Sequence, residues 1–522
     1  MSQHINESCT KSDTDQVNDV DRVKKEAISG VIRTAAFTII GRLTTLIAIF
    51  ATGKLLPREA FAIYAFCYSL SALFAGIGRG CIANLLLQKP KLFHRLKHPA
   101  TIYSLALNSL GVIISLTLIT VTNRLFNLWE CWMVGLTLAV RALLMTPITI
   151  YVSQISSSLA FKELTNVRIV SVTLKNTLSI LMAFLGCGVH ALSVPLMLCT
   201  VYEALSFRHI AKIAHVDKRI TFQPSKRVRG WVFKSSRWLI AITLLTAGMM
   251  NVDYFVVGQI GTAEQLAAYY FAFQLTASVL EILISGIQTV TIPVLVALKE
   301  QRQNVGESII RAAQVLNLIG LPTGIALAIV VGPAIWLLWG NKWLDAIACA
   351  EFLALAVVPR SLISLLNSSL DASGAWSTRA FLLIADILGI GLVTYLGIIS
   401  GGITYIGLYI LYFNCLFSIF WCVIIAREFN IPLYDIVRSN TTNLAIITTA
   451  ALGKLTIENL LPHIFKSIPF ASSYWWTLIF LIQVLILCQF EKTTLRMVWS
   501  NTHSLRQKIM RFKIINKFAS LK

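Results

Sequence analysis

Long apolar runs separated by short polar breaks dominate the chain. Residues 1–33 are polar and charged. Apolar runs follow at 34–53, 62–87, 101–122, 128–151, 168–186, 190–207, 237–257, 266–290, 312–331, 344–368, 380–399, 403–426, 441–460 and 472–490. A helix needs about 20 apolar residues to cross about 30 Å of hydrocarbon. The pattern therefore predicts an all-α polytopic membrane protein with about 14 transmembrane helices. The first run reads as a retained span rather than a cleaved signal. An even number of spans puts both termini on one side.

Composition agrees and narrows the classes. Of 522 residues, 56% are hydrophobic and 13% are charged, against about 25% charged in a soluble domain. A soluble enzyme, a disordered chain and a secreted disulfide scaffold are excluded. The net charge of +21 would suggest nucleic acid in a soluble protein. Here its distribution explains it: with the N-terminus inside, 34 of the 45 Lys and Arg fall in cytoplasmic segments. The densest is 208–236, bounded by Arg208 and Arg237, and eight more run from Lys492 to Lys522. This is the positive-inside signal, reinforced by contact with anionic lipid. No nucleic-acid partner is expected.

Several apparent motifs dissolve in context. Asp13-Thr-Asp15 and Asp19-Val-Asp21 lie in a polar tail and read as solvated charge. Gly76-Ile-Gly78-Arg79-Gly80 lies inside an apolar run with no preceding strand, so it reads as a helix-packing or flexible point, not a nucleotide loop. Nine of ten cysteines lie in or beside apolar runs and there is no C-x-x-C, which suits membrane-core packing. The histidines have no metal spacing and no Walker A sequence is present, so neither a cofactor, a metal nor a catalytic residue is expected. The loops are too short to carry a catalytic domain.

The chain carries an internal repeat. Leu56 to Leu70 and Gly261 to Leu275 align at an offset of 205, matching Glu59 with Glu264, Ala62 with Ala267, Tyr64 with Tyr269, Phe66 with Phe271 and Leu70 with Leu275. Gly53 matches Gly258 at the same offset. Both segments follow the first span of a six-span block, which predicts two parallel six-helix lobes around a central cavity. The expected division is a cytoplasmic tail at 1–33, an N-lobe at 34–207, a basic linker at 208–236, a C-lobe at 237–428, and two further spans with a basic tail at 429–522.

Four stretches carry a resemblance to a known family: Leu56-Pro-Arg-Glu-Ala-Phe61 with Gly76-Ile-Gly78 and Leu87-Gln88; Leu159-Ala-Phe161-Lys162-Glu-Leu164 with Gly186-Cys-Gly188-Val-His-Ala191-Leu192; Asn251-Val-Asp253 with Gly258, Gly261 and Ala268-Tyr269; and Trp339-Gly340-Asn-Lys-Trp343-Leu-Asp-Ala346. In order and spacing the chain resembles the Wzx-like lipid-linked oligosaccharide flippases of the multidrug/oligosaccharidyl-lipid/polysaccharide exporter (MOP) superfamily. It departs from their usual pattern at Ala62, Ala75 and His190. The resemblance implies movement of an undecaprenyl-diphosphate-linked oligosaccharide from the cytoplasmic to the periplasmic leaflet of a bacterial inner membrane, for surface polysaccharide synthesis. Membrane lipids, a glycan polymerase and a co-polymerase are the partners it suggests. A cation-coupled multidrug exporter of the same superfamily and a lipid II flippase are the alternatives.

Ionisable residues inside the spans are the candidate chemistry. Each costs about 2.5–3.5 kcal/mol in hydrocarbon on the mildest scale, so it faces a cavity or a partner. Arg42, Arg79, Arg141, Lys175 and Arg360 stand against Glu281 and Glu351, with Asp253 and Asp386 nearer span ends. Counting residues places Arg42 and Arg79 about 13 Å from the cytoplasmic surface, with Arg360 and Glu281 at a similar depth. Guanidinium groups stay charged and grip phosphate through two parallel hydrogen bonds. Arg42, Arg79, Arg141, Arg360 and Lys175 are therefore candidate head-group contacts. Glu281, Asp253 and Glu351 are candidates for ion coupling or ion pairs. Asp253 equally suits a brace for a short outer turn. Glu351 and Arg360, nine residues apart, face opposite sides of one helix and are not expected to pair.

Overall fold

A computed structural model describes residues 40–75, 93–123, 125–157, 161–213, 238, 240–300, 305–429, 431–460 and 471–490. Within these, each expected apolar run is helical over most of its described part, with turns at 185–186, 250–251 and 344–345. The helices are α1 (40–55), α2 (Arg58–Ala75), α3 (Phe93–Thr122), α4 (Leu128–Ser157), α5 (Phe161–Phe184), α6 (His190–Ile213), α7 (Ile240–Met249), α8 (Val252–Ile260), α9 (Ala263–Glu300), α10 (Val305–Trp339), α11 (Ala346–Ser373), α12 (Trp376–Gly401), α13 (Ile403–Glu428), α14 (Leu433–Leu460) and α15 (Ala471–Phe490). Eight helices among the described residues are long and apolar enough to cross a membrane. The pair α7 and α8, bent by 49°, makes a ninth if taken as one broken span.

Apolar side chains point both ways, as a membrane solvent allows. Leu337, Leu388, Leu416 and Phe184 lie more than two-thirds exposed. Helix α11 is the opposite case: 83% of its most apolar stretch is buried, against 28–56% in the other seven helices. It packs on α9, α10 and α13. Helices α14 and α15 pack on α10, and α14 also on α13.

The two repeat-matched segments meet directly. Helix α2 lies against α9, and their buried side chains form one continuous cluster with Trp339 and Trp343. Phe61 packs against both Tyr270 and Phe271, with ring centroids 6.4 and 6.3 Å apart. Two glycines permit the approach. A Cβ on Gly53 would fall 3.0 Å from the Phe271 ring and 2.6 Å from Trp339 Nε1. A Cβ on Gly258 would fall 3.1 Å from the Phe66 ring. The contacts Gly53–Phe271 and Gly258–Phe66 exchange with each other under the 205-residue offset. Each block therefore leaves its glycine bare so that the other block's phenylalanine can approach.

The break between α7 and α8 is stabilised locally. The Asn251 side-chain amide donates to the Ala247 carbonyl at 2.8 Å. The following Asp253 is buried. It accepts from the Tyr269 hydroxyl at 2.6 Å and from the Tyr254 backbone N–H at 2.9 Å. Asp253 thus braces α8 onto α9, the second of the two roles its position allowed.

Candidate functional site

The functional geometry is built around α1, whose two ends are held differently. Its last carbonyls, those near residue 53, lack helical partners, as at any helix C-terminus. Here the turn after α10 supplies them. Gly340, at φ 61°, starts a short 3₁₀ turn, Gly340–Trp343. This turn delivers three donors. Trp339 Nε1 donates to the Phe50 carbonyl at 3.0 Å, and Trp343 Nε1 to Gly53 at 3.1 Å. Lys342 Nζ donates to Gly53 at 2.9 Å, to Lys54 at 3.2 Å and to Leu56. Arg58 pairs with Asp345 and sits 5.2 Å over the Trp343 ring. Trp343 stacks on Phe271 at 4.2 Å. This is a clasp: a W-G-N-K-W turn closing over the end of a helix nearly 290 residues earlier.

Toward the other end of α1, Arg42 pairs with Glu281 of α9. Both side chains are partly exposed, at 35% and 46%. Arg141 of α4 and Lys175 of α5 lie within electrostatic reach of each other, and Lys175 also of Arg42. Three of the five cations singled out from sequence, Arg42, Arg141 and Lys175, thus lie near one another. Arg79 lies outside the described residues.

Two cavities adjoin this layer. The larger, about 300 Å³, lies among α7, α9, α11, α12 and α13. Arg360 lines it, with its guanidinium 5.2 Å over the Phe273 ring. So do Glu281, Asp386 and the ion-paired Asp371 and Arg379. Arg360 and Glu281, expected at one depth, do share this cavity. The smaller, about 110 Å³, lies among α1, α2, α5, α6 and α9 and is lined by Lys175, Asn176, Tyr64, Tyr270 and Gln274.

Glu351 lines neither cavity. It is fully buried and pairs with Lys454 of α14, and its Oε2 also accepts from Trp476 Nε1 of α15 at 3.1 Å. Lys454 lies 4.9 Å over the Phe352 ring. Lys454 sits inside the apolar run 441–460, yet it does not figure among the charges singled out from sequence. The signal was available: an acidic residue buried in a span requires a partner of opposite charge. The clasp donors were visible as a motif, but their acceptors are backbone carbonyls, which no side-chain pattern announces.

Comparisons with known proteins decide the affiliation. The sequence profile of the polysaccharide biosynthesis protein family matches residues 52–348, more than half of the chain. The protein belongs to that family. A teichuronic acid biosynthesis protein, TuaB of Bacillus subtilis strain 168, is 27% identical over 186 residues, which cover 31% of this chain and 38% of TuaB. The match thus spans well under half of that relative's length. Among solved structures, the lipid II flippase MurJ in an inward closed conformation superposes with a TM-score of 0.65 at 14% identity, over 90% of this chain and 99% of MurJ. An inward-facing multidrug resistance transporter of the MATE family and MOP superfamily gives 0.61 at 16% identity, over 77% of this chain and 98% of that one. At such identities the likeness concerns the fold. This member of the polysaccharide biosynthesis protein family is a multi-span membrane protein whose fold is like that of those two structures.

Proposed function

We propose that this protein flips an undecaprenyl-diphosphate-linked oligosaccharide repeat unit from the cytoplasmic to the periplasmic leaflet of a bacterial inner membrane, supplying O-antigen, capsule or exopolysaccharide synthesis. Both termini are cytoplasmic on this reading. The clasp end of α1 is then periplasmic and the Arg42 end cytoplasmic. Residues 34–207 and 237–428 form two lobes that rock about the α2–α9 contact, with 208–236 as the linker. The reciprocal glycine–phenylalanine contacts support that division, because they relate the two blocks as equivalents.

The observation that carries the reading is the gathering of Arg42, Arg141 and Lys175 near one another, with Arg42 paired to Glu281. A diphosphate can replace Glu281 as the partner of Arg42, with the freed carboxylate taken up by another cation, which is what makes an ion pair exchangeable. Arg360 faces the same carboxylate from the larger cavity, and Arg79 belongs to the set by its sequence position. Glu281 is also the acidic residue placed to take up a cation when Arg42 leaves it. Asp253 and Glu351 are engaged in the braces described above. The multidrug-exporter alternative finds support in Asp386 and Glu281, which both line the larger cavity. Arginines facing or pairing with those acids favour an anionic cargo. A lipid II flippase shares the fold and the charge, and cargo analysis separates the two.

The test is lipid extraction from cells lacking the protein. Accumulation of an intact diphosphate-linked oligosaccharide, with loss of surface glycan, is the expected result. Normal surface glycan combined with sensitivity to cationic dyes would replace this reading with the drug-exporter one. In complemented cells, Arg42→Ala with Arg79→Ala should abolish surface glycan at unchanged protein level. Normal glycan in that double variant would remove both residues from the head-group assignment.

A further inference from the structure

The smaller cavity differs in chemistry from the arginine layer beside it. Its depth follows from a hydrogen bond: Asn176 Nδ2 donates to Thr44 Oγ1 at 3.1 Å and to Thr45 Oγ1 at 3.3 Å. Lys175, the preceding residue, therefore lies level with residue 45 of α1. That is about 4.5 Å, one helical turn, beyond Arg42 toward the clasped end. The cavity continues along α1 as far as Thr52, about another 10 Å at the same rise. A sugar joined to a diphosphate at Arg42 would extend into this space.

The lining suits a sugar ring. Among the described residues, the Gln274 carboxamide and the Tyr64 and Tyr270 hydroxyls have no hydrogen-bond partner, and all three residues border the cavity. They offer an amide, two phenols and two aromatic faces, which match the hydroxyls and the apolar C–H faces of a pyranose. Lys175 is different in kind. It is largely enclosed and no carboxylate is paired with it among the described residues, while its nearest charges, Arg42 and Arg141, are cations like itself. A neutral glycan gives nothing to offset that ammonium. Neither does Glu281, which pairs with Arg42. An anion on the cargo beyond the diphosphate would.

Resting on the flippase reading, we propose that this cavity is a glycan subsite and that Lys175 pairs with a carboxylate on a sugar close to the diphosphate. The cargo is then an acidic oligosaccharide of the uronic type. Carboxylate and diphosphate share the same anionic chemistry, so the experiment must separate them.

Two synthetic probes do so: short-prenyl diphosphate-linked disaccharides identical except that one sugar bears a C6 hydroxymethyl (glucosyl) or a C6 carboxylate (glucuronyl). Binding of each to the purified full-length protein is measured at fixed salt. The carboxylated probe is expected to bind about tenfold more tightly, as a charge-assisted contact in an enclosed site should. Lys175→Met should abolish that preference, weakening the carboxylated probe about tenfold more than the neutral one. Lys175→Arg should retain most of the preference. A melting temperature for Lys175→Met equal to that of the unsubstituted protein shows that the fold is intact. Equal binding of the two probes by the unsubstituted protein overturns the acidic-sugar subsite and leaves the flippase reading standing. Equal weakening of both probes by Lys175→Met overturns it too, and moves Lys175 to the diphosphate. Binding of neither probe overturns the flippase reading and this proposal with it.

Discussion

The two ends of α1 present opposite solutions to holding a helix. At the clasped end, six donor–acceptor or ionic contacts and a stacked tryptophan converge on a few carbonyls and Arg58. At the other end a single ion pair of half-exposed side chains, Arg42 with Glu281, makes the connection. The contrast is one of exchangeability. Backbone carbonyls saturated by several convergent donors let go only as a group, whereas a single half-exposed pair can trade partners with a ligand or water. The clasped end is the more firmly held of the two, and on the proposed reading the cargo head group enters at the charged end.

The largest effect expected from breaking that asymmetry is at Trp343. It is fully buried, donates to Gly53 and stacks on Phe271. Trp343→Ala should cost about 3–5 kcal/mol of packing, read as a lowered melting temperature in detergent. It should also raise the labelling rate of a cysteine placed at Leu56, which is buried beneath the clasp. Unchanged labelling would mean that the turn is not what closes this end.

Next in size is the reciprocal glycine contact. Gly53→Leu and Gly258→Leu should each obstruct the approach of the facing phenylalanine, at about 1–3 kcal/mol for overpacking. The Gly53 variant should suffer more, since Trp339 Nε1 lies closer to it than any atom does to Gly258. Equal melting temperatures for the two would show the neighbours yielding equally.

Arg42→Ala should do the reverse of Trp343→Ala. Melting should shift less than in Trp343→Ala, while surface glycan is lost in cells. A charge exchange, Arg42→Glu with Glu281→Arg, restores the pair but not a cationic α1, so glycan should remain absent. Recovery would make the pair structural. The smallest effect belongs to Glu307 and Arg311, an exposed pair four residues apart on α10. Its removal should cost about 0.2–0.5 kcal/mol and leave glycan intact, which sets the baseline for the Arg42 result.

These expectations were unequally legible in the sequence. The helices were, because about 20 consecutive apolar residues admit few other readings. That Arg360 and Glu281 line one cavity was not, because counting residues does not say which helix faces meet. The pairing of Arg42 with Glu281 was foreseeable as an ion pair between blocks, but the cavities near it were not, since cavities depend on how helices tilt. The function of Trp339, Lys342 and Trp343 was not legible, because their acceptors are main-chain carbonyls that any residue supplies. Asp371 and Arg379 pair across the short connection between α11 and α12, a contact that no residue spacing announces.

The buried trio of Glu351, Lys454 and Trp476 has a consequence for how the chain is made. Glu351 leaves the ribosome 103 residues before Lys454 and 125 before Trp476. During that interval it is a carboxylate in a span with its eventual partners not yet synthesised. Until α14 and α15 arrive, that carboxylate must find another partner or stay near water. A chain that stalls before residue 454 therefore carries an unmatched acid that a finished copy hides.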